Sequence, residues 1–407
     1  MGRYGADVVW SGPAGHIDMK ISGDWIRAQA TQQVCQMLVQ AGYQAYFVGG
    51  CVRNDLLGLP VNDLDICTDA RPQVVMDLAK SAGFRAIPTG IDHGTVTVVS
   101  QGLAHEITTF RKDVDTDGRH ARVQFSDTLT EDAQRRDFTM NALYADAHGT
   151  ITDPVNGLPD LKRRHFRFIG TAADRIREDY LRILRFFRFT AVYGDPAIGF
   201  DRDTLAAIAD HLDGLTQLSR ERVGAEMIKL LGANDPAPAI ATMRQTGVLG
   251  HVLPAADDRY LAPLVHLETM DRIPPHALRR LAILGGDGVK AALRLSNDHT
   301  RQLDIMRDEL GSPRPAHALA YDYGADLARD ILYLRAALFE TQPQAQDLAD
   351  IELAQNAVFP VTAADLLPHV QGAALGQRLN ELKTRWIQSK FTLTKAELLH
   401  QEPKNEL

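Results

Sequence analysis

Asp63-Leu64-Asp65 sets two carboxylates two residues apart. In an extended segment, residues i and i+2 face the same way, so both acids project from one side while Leu64 and Ile66 turn into the core. Adjacent anionic groups repel each other, and a cation between them removes that cost. Magnesium suits such a pair, because it takes one or two carboxylates and completes its shell with substrate phosphates and water. About a dozen residues upstream, Val48-Gly49-Gly50-Cys51-Val52-Arg53 offers the other half of a nucleoside triphosphate site. Two glycines between a strand and a helix let the backbone approach a ligand closely, and the new helix presents unpaired N–H groups to an anion. Arg53, in the first turn, adds a charged donor for phosphate. Alone, the acidic pair reads as a chance feature of an exposed strand and the glycines as a tight turn. Together they supply a metal-holding element and a phosphate-holding element.

Other groups join this arrangement further along. Glu106, within His105-Glu106-Ile107-Thr108-Thr109-Phe110-Arg111, lies on a later strand. Two readings stay open for it: a third carboxylate that accepts the proton of an attacking hydroxyl or ligates a metal, or a strand glutamate paired with Arg111. Arg135 and Arg136 can reach phosphate, and Asp137 and Asn141 are i, i+4 on a short helix; Phe138, Met140 and Leu143 read as core. Asp179 and Arg182 are i, i+3 on a helix, a spacing that in isolation describes a surface ion pair.

The elements that position these groups follow from periodicity. Residues 45–48 read as a strand turning at Gly49-Gly50 into a helix through Leu57, and residues 62–67 as a second strand. A helix starts near Pro72 and ends at Gly83, following the usual Pro-in, Gly-out asymmetry. Residues 94–100 and 104–110 alternate as strands. Residues 111–134 are polar and read as an exposed loop. From about residue 172 the chain reads as helical, with Ile176, Tyr180, Leu184 and Phe187 at helical spacing. Pro/Gly punctuation near 194–199, 232–238, 274–275 and 311–315 separates helices. The expected fold is therefore α+β: a head with a small mixed β-sheet, followed by an all-α C-terminal half. The expected division is a disordered extension over 1–20, with Met19 a second candidate start, a head over 21–160, a helical neck over 161–231 and a helical body and tail over 232–407.

Composition narrows the class. The chain has 407 residues and a net charge of −8, which is not that of a bulk polyanion binder. Residues 162–188 nevertheless carry nine Lys or Arg against three Asp or Glu; alone such a run reads as a solvated helix face, and beside the other motifs it reads as one face meeting phosphates within an otherwise acidic protein. Cys35, Cys51 and Cys67 lack CxxC spacing, so a disulfide framework and a structural zinc site are not expected, and each reads as a small buried hydrophobe. There is no long apolar run and no secretory signal pattern, so a cytoplasmic location without membrane contact is expected. Trp386 and Phe391, near the C-terminus, read as core.

The stretch VGGCVRNDLLGLPVNDLDICT (48–68) resembles the signature of DNA polymerase β-type nucleotidyltransferases, and within them the class II CCA-adding tRNA nucleotidyltransferase and bacterial poly(A) polymerase family. That family's GGxVRD is altered here at Asn54, which keeps the shape of Asp but not its charge. RRDFTMNALY (135–144) with DPVNGLPDL (153–161) resembles the family's third block, EDYLR (178–182) its EDxxR block, and SRERVGAEMIKLL (219–231) its next block. The resemblance implies a Mg²⁺-dependent enzyme that adds C and A from CTP and ATP to the 3′ end of tRNA, with no protein partner inferred. It implies catalytic Asp63, Asp65 and Glu106, metal ligands Asp63 and Asp65, and nucleotide contacts from Gly49, Gly50, Arg53, Arg136, Asp137, Asn141, Asp179 and Arg182. In this setting Asp179 and Arg182 acquire a chemical meaning. A carboxylate accepts from the exocyclic amine of C or A while a guanidinium donates to the ring, and U and G offer the wrong groups. Arg220 and Arg222 orient the base-reading helix, touch RNA or are plain surface residues. DGRHA (117–121) resembles the flexible loop that helps the site pass from C to A, with His120 where Arg is common. Poly(A) addition by the same chemistry is the alternative, and a non-catalytic RNA-binding protein on this fold is the alternative of another class.

Overall fold

The computed structural model describes residues 19–116, 121–367 and 370–400. The chain folds as two compact units. The first runs to Glu226 and takes back Thr242–Val252; the second comprises Met227–Ala241 and the chain from Leu253 onward.

The strands belong to the first unit: β1 (Tyr46–Val48), β2 (Asp65–Thr68), β3 (Arg85–Gly90), β4 (Thr95–Ser100), β5 (Leu103–Thr109), β6 (Arg111–Thr116), β7 (Ala121–Phe125), β8 (Tyr144–Ala145) and β9 (Ile151–Thr152). Seven form one sheet in the order β3-β4-β5-β2-β1-β8-β9, and β6 and β7 form a separate ribbon. The β2–β5 pair is parallel and the neighbouring pairs are antiparallel, so the sheet is mixed, as expected.

Side-chain alternation gives this sheet two different faces. Ile66, Ile107, Val96, Val98 and His105 are buried on one of them. His105 Nε2 meets Thr31 Oγ1 of the helix Gln29–Gln40 at 3.2 Å, so this is the face that helices cover. The helix Pro72–Ser81 packs beside it, against β3 and β4. On the opposite face Thr97, Glu106 and Asp65 stand in line across β4, β5 and β2. Farther along that face Cys67 is sealed by Val48, Phe110, Ala133, Ala142, Tyr144 and Ile169. Asp65 sits at the rim of this small second core.

Several expectations need correction. β2 starts at Asp65, not at Asn62; Asp63 lies in the extended lead-in, where Leu64 O already accepts from Glu106 N at 2.9 Å. The edge strand β3 was not anticipated, because Pro88 and its exposed residues blur the alternation, and an edge is where a sheet tolerates proline. Residues 111–134 are not an open loop: β6 and β7 pair, and the helix Leu129–Gln134 follows, capped by the Thr128 side chain on Glu131 N. A polar two-stranded ribbon has no apolar period to read, although Thr128-x-x-Glu131 is a legible capping pattern. Of the expected extension, residues 1–18 lie outside the described residues, whereas Met19 and Ile21 pair with Ile151 and Gly149. Residues 117–120 of the DGRHA segment, His120 included, are also outside them.

The helical remainder follows its punctuation. The helix Leu181–Tyr193 ends before the first Pro/Gly cluster, and the helices Arg220–Leu231, Leu261–Met270 and Asn297–Glu309 end before the other three. The expected basic strip is different in kind. At least six of its nine cations are tied internally: Arg167 to Asp160, Arg175 and Arg182 to Glu178, Arg177 to Asp174, Arg185 to Asp137 and Arg188 to Glu226. Half of those bonds use acids from outside the run, which a local charge count cannot see. Only Lys162, Arg163, Arg164 and the ion-paired Arg167 and Arg177 are exposed. Within the second unit, Arg279 and Arg280 are buried and bonded to Glu268, and Arg279 also to Asp330. Trp386 is buried there with Leu382 and Leu398, and Phe391 packs against them.

Candidate active site

Gly49 ends β1 with φ +70° and ψ −117°, a conformation open to glycine and strained for other residues. It turns the chain directly into the helix Gly50–Leu56. A side chain at Gly49 would point at Asn141 O and Arg136 Nη1, at 3.5 and 3.8 Å, so Arg136 lies directly over this turn. β1 runs antiparallel to β2 with Phe47 opposite Ile66, which brings Val48 opposite Asp65 and the turn beside the carboxylate. Thus the glycine turn, the first turn of a helix, Arg136 and Asp65 converge.

Asp65 is directly in register with Glu106 on a parallel neighbour, and in-register residues of adjacent strands share a face. This settles the direction of Glu106: it stands with Asp65 and is exposed. Burial, the Glu106 charge and the Asp63 charge push the Asp65 carboxyl up to about 6, against the opposing pull of Arg136. Leu64, between the two aspartates, is buried while Asp63 is exposed, so the alternation that puts both acids on one side is intact. Such crowded hard oxygen donors, short of positive charge, fit a divalent cation. Among the described residues no group of three or more His, Cys, Asp or Glu side chains is arranged around a single ion position. Two carboxylates completed by substrate phosphate oxygens is therefore the arrangement the donor set matches.

Arg136 is held by a residue that sequence reasoning missed. Asp132, fully buried, accepts from Arg136 Nη2 at 2.9 Å and Nε at 3.1 Å, from Arg135 Nε at 3.0 Å and from the Tyr144 hydroxyl at 2.9 Å. Burial alone would raise its carboxyl, but Arg136 and Arg135 outweigh that and hold it well below the usual carboxylate range. Its signal in the sequence is its i, i+3 and i, i+4 spacing from Arg135 and Arg136. Asp132 occupies Arg135 and one edge of Arg136, leaving Arg136 Nη1 next to Gly49.

Arg53, the expected phosphate contact in the first helical turn, is enclosed by aromatic rings. It is 4% exposed, and its guanidinium lies 4.1 Å from the Tyr193 ring centroid and 5.1 Å from that of Phe189. Its Nη atoms donate to Asn141 Oδ1 and Asn54 Oδ1, while Nε is buried without a partner. In this structure Arg53 braces the glycine turn from behind. Asn54 accepts from Arg53 Nη2 at 3.0 Å and donates to Pro60 O at 2.9 Å, so the acceptor the family aspartate would offer is retained. Asn141 and Asp137 are in contact, 3.0 Å from Nδ2 to Oδ1, but across a 3₁₀ turn at Thr139–Asn141, not on an α-helix. Asp137 also accepts from Phe138 N and Arg185 Nε. Against burial, Arg185 and the Asn141 hydrogen bond bring its carboxyl down to about 2. Asp137 and Asn141 thus form a buried frame behind Arg53.

Asp179 and Arg182 do not share one helix. The helix Ala172–Glu178 stops at Asp179, which has φ −154°, and a new helix runs from Leu181. Asp179 Oδ1 caps it by accepting from Leu181 N at 3.1 Å, and Oδ2 accepts from Arg222 Nη2 at 2.6 Å. Arg182 donates to Glu178, to Arg175 O at 2.9 Å and to Arg135 O at 2.9 Å. The simple i, i+3 surface bridge is not what forms. Aspartate is a strong helix-capping residue, and that preference breaks the helix where apolar periodicity alone predicts continuity. Gly214 is a second residue the sequence did not flag. A Cβ there would come within 2.1–2.4 Å of Tyr180 ring carbons, so only glycine lets this turn pack.

A mixed sheet that carries acids on one open face beside a helix-initiating glycine turn defines a nucleotidyltransferase head. Residues 45–167 match the model of the poly A polymerase head domain, and residues 199–259 that of a probable RNA and SrmB-binding site of polymerase A. The chain is 31% identical over 386 residues to the mitochondrial CCA tRNA nucleotidyltransferase 1 of Mus musculus, covering 91% of this chain and 89% of that one. It is 44% identical over 217 residues to the CCA-adding enzyme of Geobacillus stearothermophilus, about half of each chain. Its fold matches the crystal structure of the Bacillus stearothermophilus CCA-adding enzyme in complex with CTP with a TM-score of 0.70 and 30% identity, over 89% of this chain and 93% of that one. The chain belongs to the CCA-adding enzyme and poly(A) polymerase family of nucleotidyltransferases. No helix among the described residues is long and apolar enough to cross a membrane.

Proposed function

We propose that this protein completes the 3′ end of tRNA by adding C and A from CTP and ATP without a template. The observation that carries the reading is the convergence of Asp65, Glu106 and Arg136 on the Gly49-Gly50 turn, in a chain aligned over nearly its whole length with a CCA tRNA nucleotidyltransferase. The family works with a divalent metal, and the proposal takes it to be Mg²⁺ held by Asp63 and Asp65. Such an ion supplies Lewis-acid polarisation of the attacking hydroxyl and of the phosphate oxygens. The N–H groups of the first helical turn and Arg136 Nη1 bind the triphosphate tail as anion-binding donors. In this reading Glu106, exposed on the same face, takes the proton of the 3′-hydroxyl as that oxygen attacks the α-phosphate and pyrophosphate departs. Arg53, Asn141 and Asp137 hold the glycine turn from behind, as positioning residues.

Asp179 and Arg182 read the base edge once a nucleotide draws them from Arg222 and Glu178. The head is assigned to residues 21–160, the base-reading neck to 161–231 and the RNA-binding body and tail to 232–407. A cytoplasmic location completes the proposal, and cell fractionation tests it against the organelle named for the mouse relative.

The decisive assay supplies tRNA lacking its terminal residues with labelled CTP and ATP. Incorporation of C followed by A, stopping at a defined length, is expected. Extended ATP incorporation into unstructured RNA with no use of CTP would replace this reading with poly(A) addition.

A further inference from the structure

The open face of the sheet continues past the carboxylates. Asp65 and Glu106 are in register, Glu106 is opposite Thr97 on β4, and Thr97 Oγ1 lies 2.9 Å from Thr89 Oγ1 on the edge strand β3. One row across β2, β5, β4 and β3 thus carries two acids and then two hydroxyls. Glu106 and Thr89 are exposed and Thr97 is half-buried, so the row is reachable from outside. The same face bears a second threonine pair, Thr95 Oγ1 and Thr108 Oγ1 at 3.0 Å, but that pair stands in line with Cys67, which the small second core seals.

A cross-strand threonine pair stabilises a sheet by itself. What sets Thr97 and Thr89 apart is their neighbour. Opposed residues on adjacent antiparallel strands have Cβ atoms about 4.5–5.5 Å apart. Thr97 therefore stands next to the group that receives the proton of the 3′-hydroxyl in the reading above. On an RNA end the 2′-hydroxyl sits on the neighbouring carbon of the same ring, and it both donates and accepts. A ribose whose 3′-oxygen meets Glu106 turns its 2′-oxygen along the row, either toward Asp65 or toward Thr97. Ionised carboxylates only accept, and Asp65 is engaged with the metal in that reading. A hydrogen bond between two hydroxyls uses one hydrogen, so whichever threonine donates, the pair keeps one O–H and spare lone pairs. The threonine pair can answer both roles of the 2′-hydroxyl.

We infer that Thr97, held by Thr89, contacts the 2′-hydroxyl of the RNA's terminal ribose and makes the site prefer a ribonucleotide end over a 2′-deoxy end. The inference rests on the proposed attack of a 3′-hydroxyl beside Glu106 and adds to it the choice between two sugars.

The test is a cycle in which one hydroxyl is removed from each side. Thr97→Val keeps the β-branched shape and loses the hydroxyl. The RNA is tRNA lacking its 3′ terminal residues, with either a ribose or a 2′-deoxyribose at its last nucleotide. The kcat/KM for C addition to both RNAs is measured with the full chain, with Thr97→Val and with Thr95→Val. The ribo-over-deoxy ratio is expected to fall about two- to tenfold in Thr97→Val, the worth of one net hydrogen bond. The loss falls on the ribose end, and the 2′-deoxy end is used as by the wild type. Removing the 2′-hydroxyl also changes the reactivity of the 3′-hydroxyl, but equally in all three proteins, so the cycle cancels it. Thr95→Val, which breaks an equivalent pair away from Glu106, is expected to keep the wild-type ratio. An unchanged ratio in Thr97→Val would overturn the inference. So would an equal loss on both ends, or the same fall in Thr95→Val, because each is what a purely structural pair gives. If the wild-type chain adds C to neither RNA, the proposed reaction fails and the inference with it; if it adds C and the ratio does not move, only the inference fails.

Discussion

The most demanding prediction concerns Asp132, which is fully buried. Replacing it with Asn keeps the shape but removes the charge and turns one acceptor oxygen into an NH₂ group. Arg136 Nε and Nη2, Arg135 Nε and the Tyr144 hydroxyl all donate to this carboxylate, so the amide meets donors with a donor. Arg136 and Arg135 side chains are 20% and 17% exposed, so water replaces the missing partner only in part. Breaking a buried ion pair from one side costs about 3–5 kcal/mol. Against a typical total of roughly 5–15 kcal/mol, that is a large share. Urea unfolding of the full chain, followed by circular dichroism, is the assay. A fall in unfolding free energy of that size, read as a lower urea midpoint, is expected, together with a raised KM for CTP as Arg136 loosens over Gly49.

The sign of the pH dependence follows from the depressed carboxyl. A folded-state value below the unfolded one, about 3.9, stabilises the fold fully above that pH, and the contribution is lost as pH falls toward the folded value. The gap between wild type and Asp132→Asn should stay constant from neutral pH to about 5 and narrow below about 4. A destabilisation under about 1 kcal/mol with an unchanged KM would refute the reasoning, because a net hydrogen bond alone is worth that much.

Asp65→Asn should abolish nucleotide addition without lowering the melting temperature of the metal-free protein, since it relieves the crowding with Glu106 and Asp63. A variant that keeps wild-type turnover would remove Asp65 from the chemistry. Gly214→Ala forces a methyl into the Tyr180 ring and should cost roughly 1–3 kcal/mol while relaxing discrimination between CTP and UTP. Unchanged discrimination would separate this turn from base choice. Gly49→Ala places a side chain at φ +70° and should destabilise by about 1–3 kcal/mol and raise the KM for both triphosphates, measured by steady-state kinetics. Asn54→Asp keeps the acceptor for Arg53 but loses the donor to Pro60 O, so a stability change of about 0.5–1.5 kcal/mol with little change in KM is expected from paired melts and kinetics.

What was legible in the sequence was local. The strand–glycine–helix turn at Gly49-Gly50, the alternation around Leu64 and the helices closed by Pro or Gly follow from neighbouring residues. Glu106 could not be oriented that way, because alternation gives two faces and only the parallel register with Asp65 selects between them. The enclosure of Arg53 was not legible, because the aromatic rings that form it, Phe189 and Tyr193, are more than a hundred residues away. The basic run at 162–188 misled for the same reason, since Asp137, Asp160 and Glu226 neutralise it from elsewhere in the sequence. The break at Asp179 shows capping chemistry overriding apolar period.

Cys35, Cys51 and Cys67 are all buried, and burial pushes the thiols of Cys35 and Cys51 up to about 12 and that of Cys67 well above its ordinary value. Thiolates are the reactive form, so at neutral pH these three sulfurs are chemically silent. An engineered cysteine at an exposed position would then be the sole target for a maleimide dye. The native protein can thus carry one fluorophore at a chosen place without any of its own sulfurs being removed.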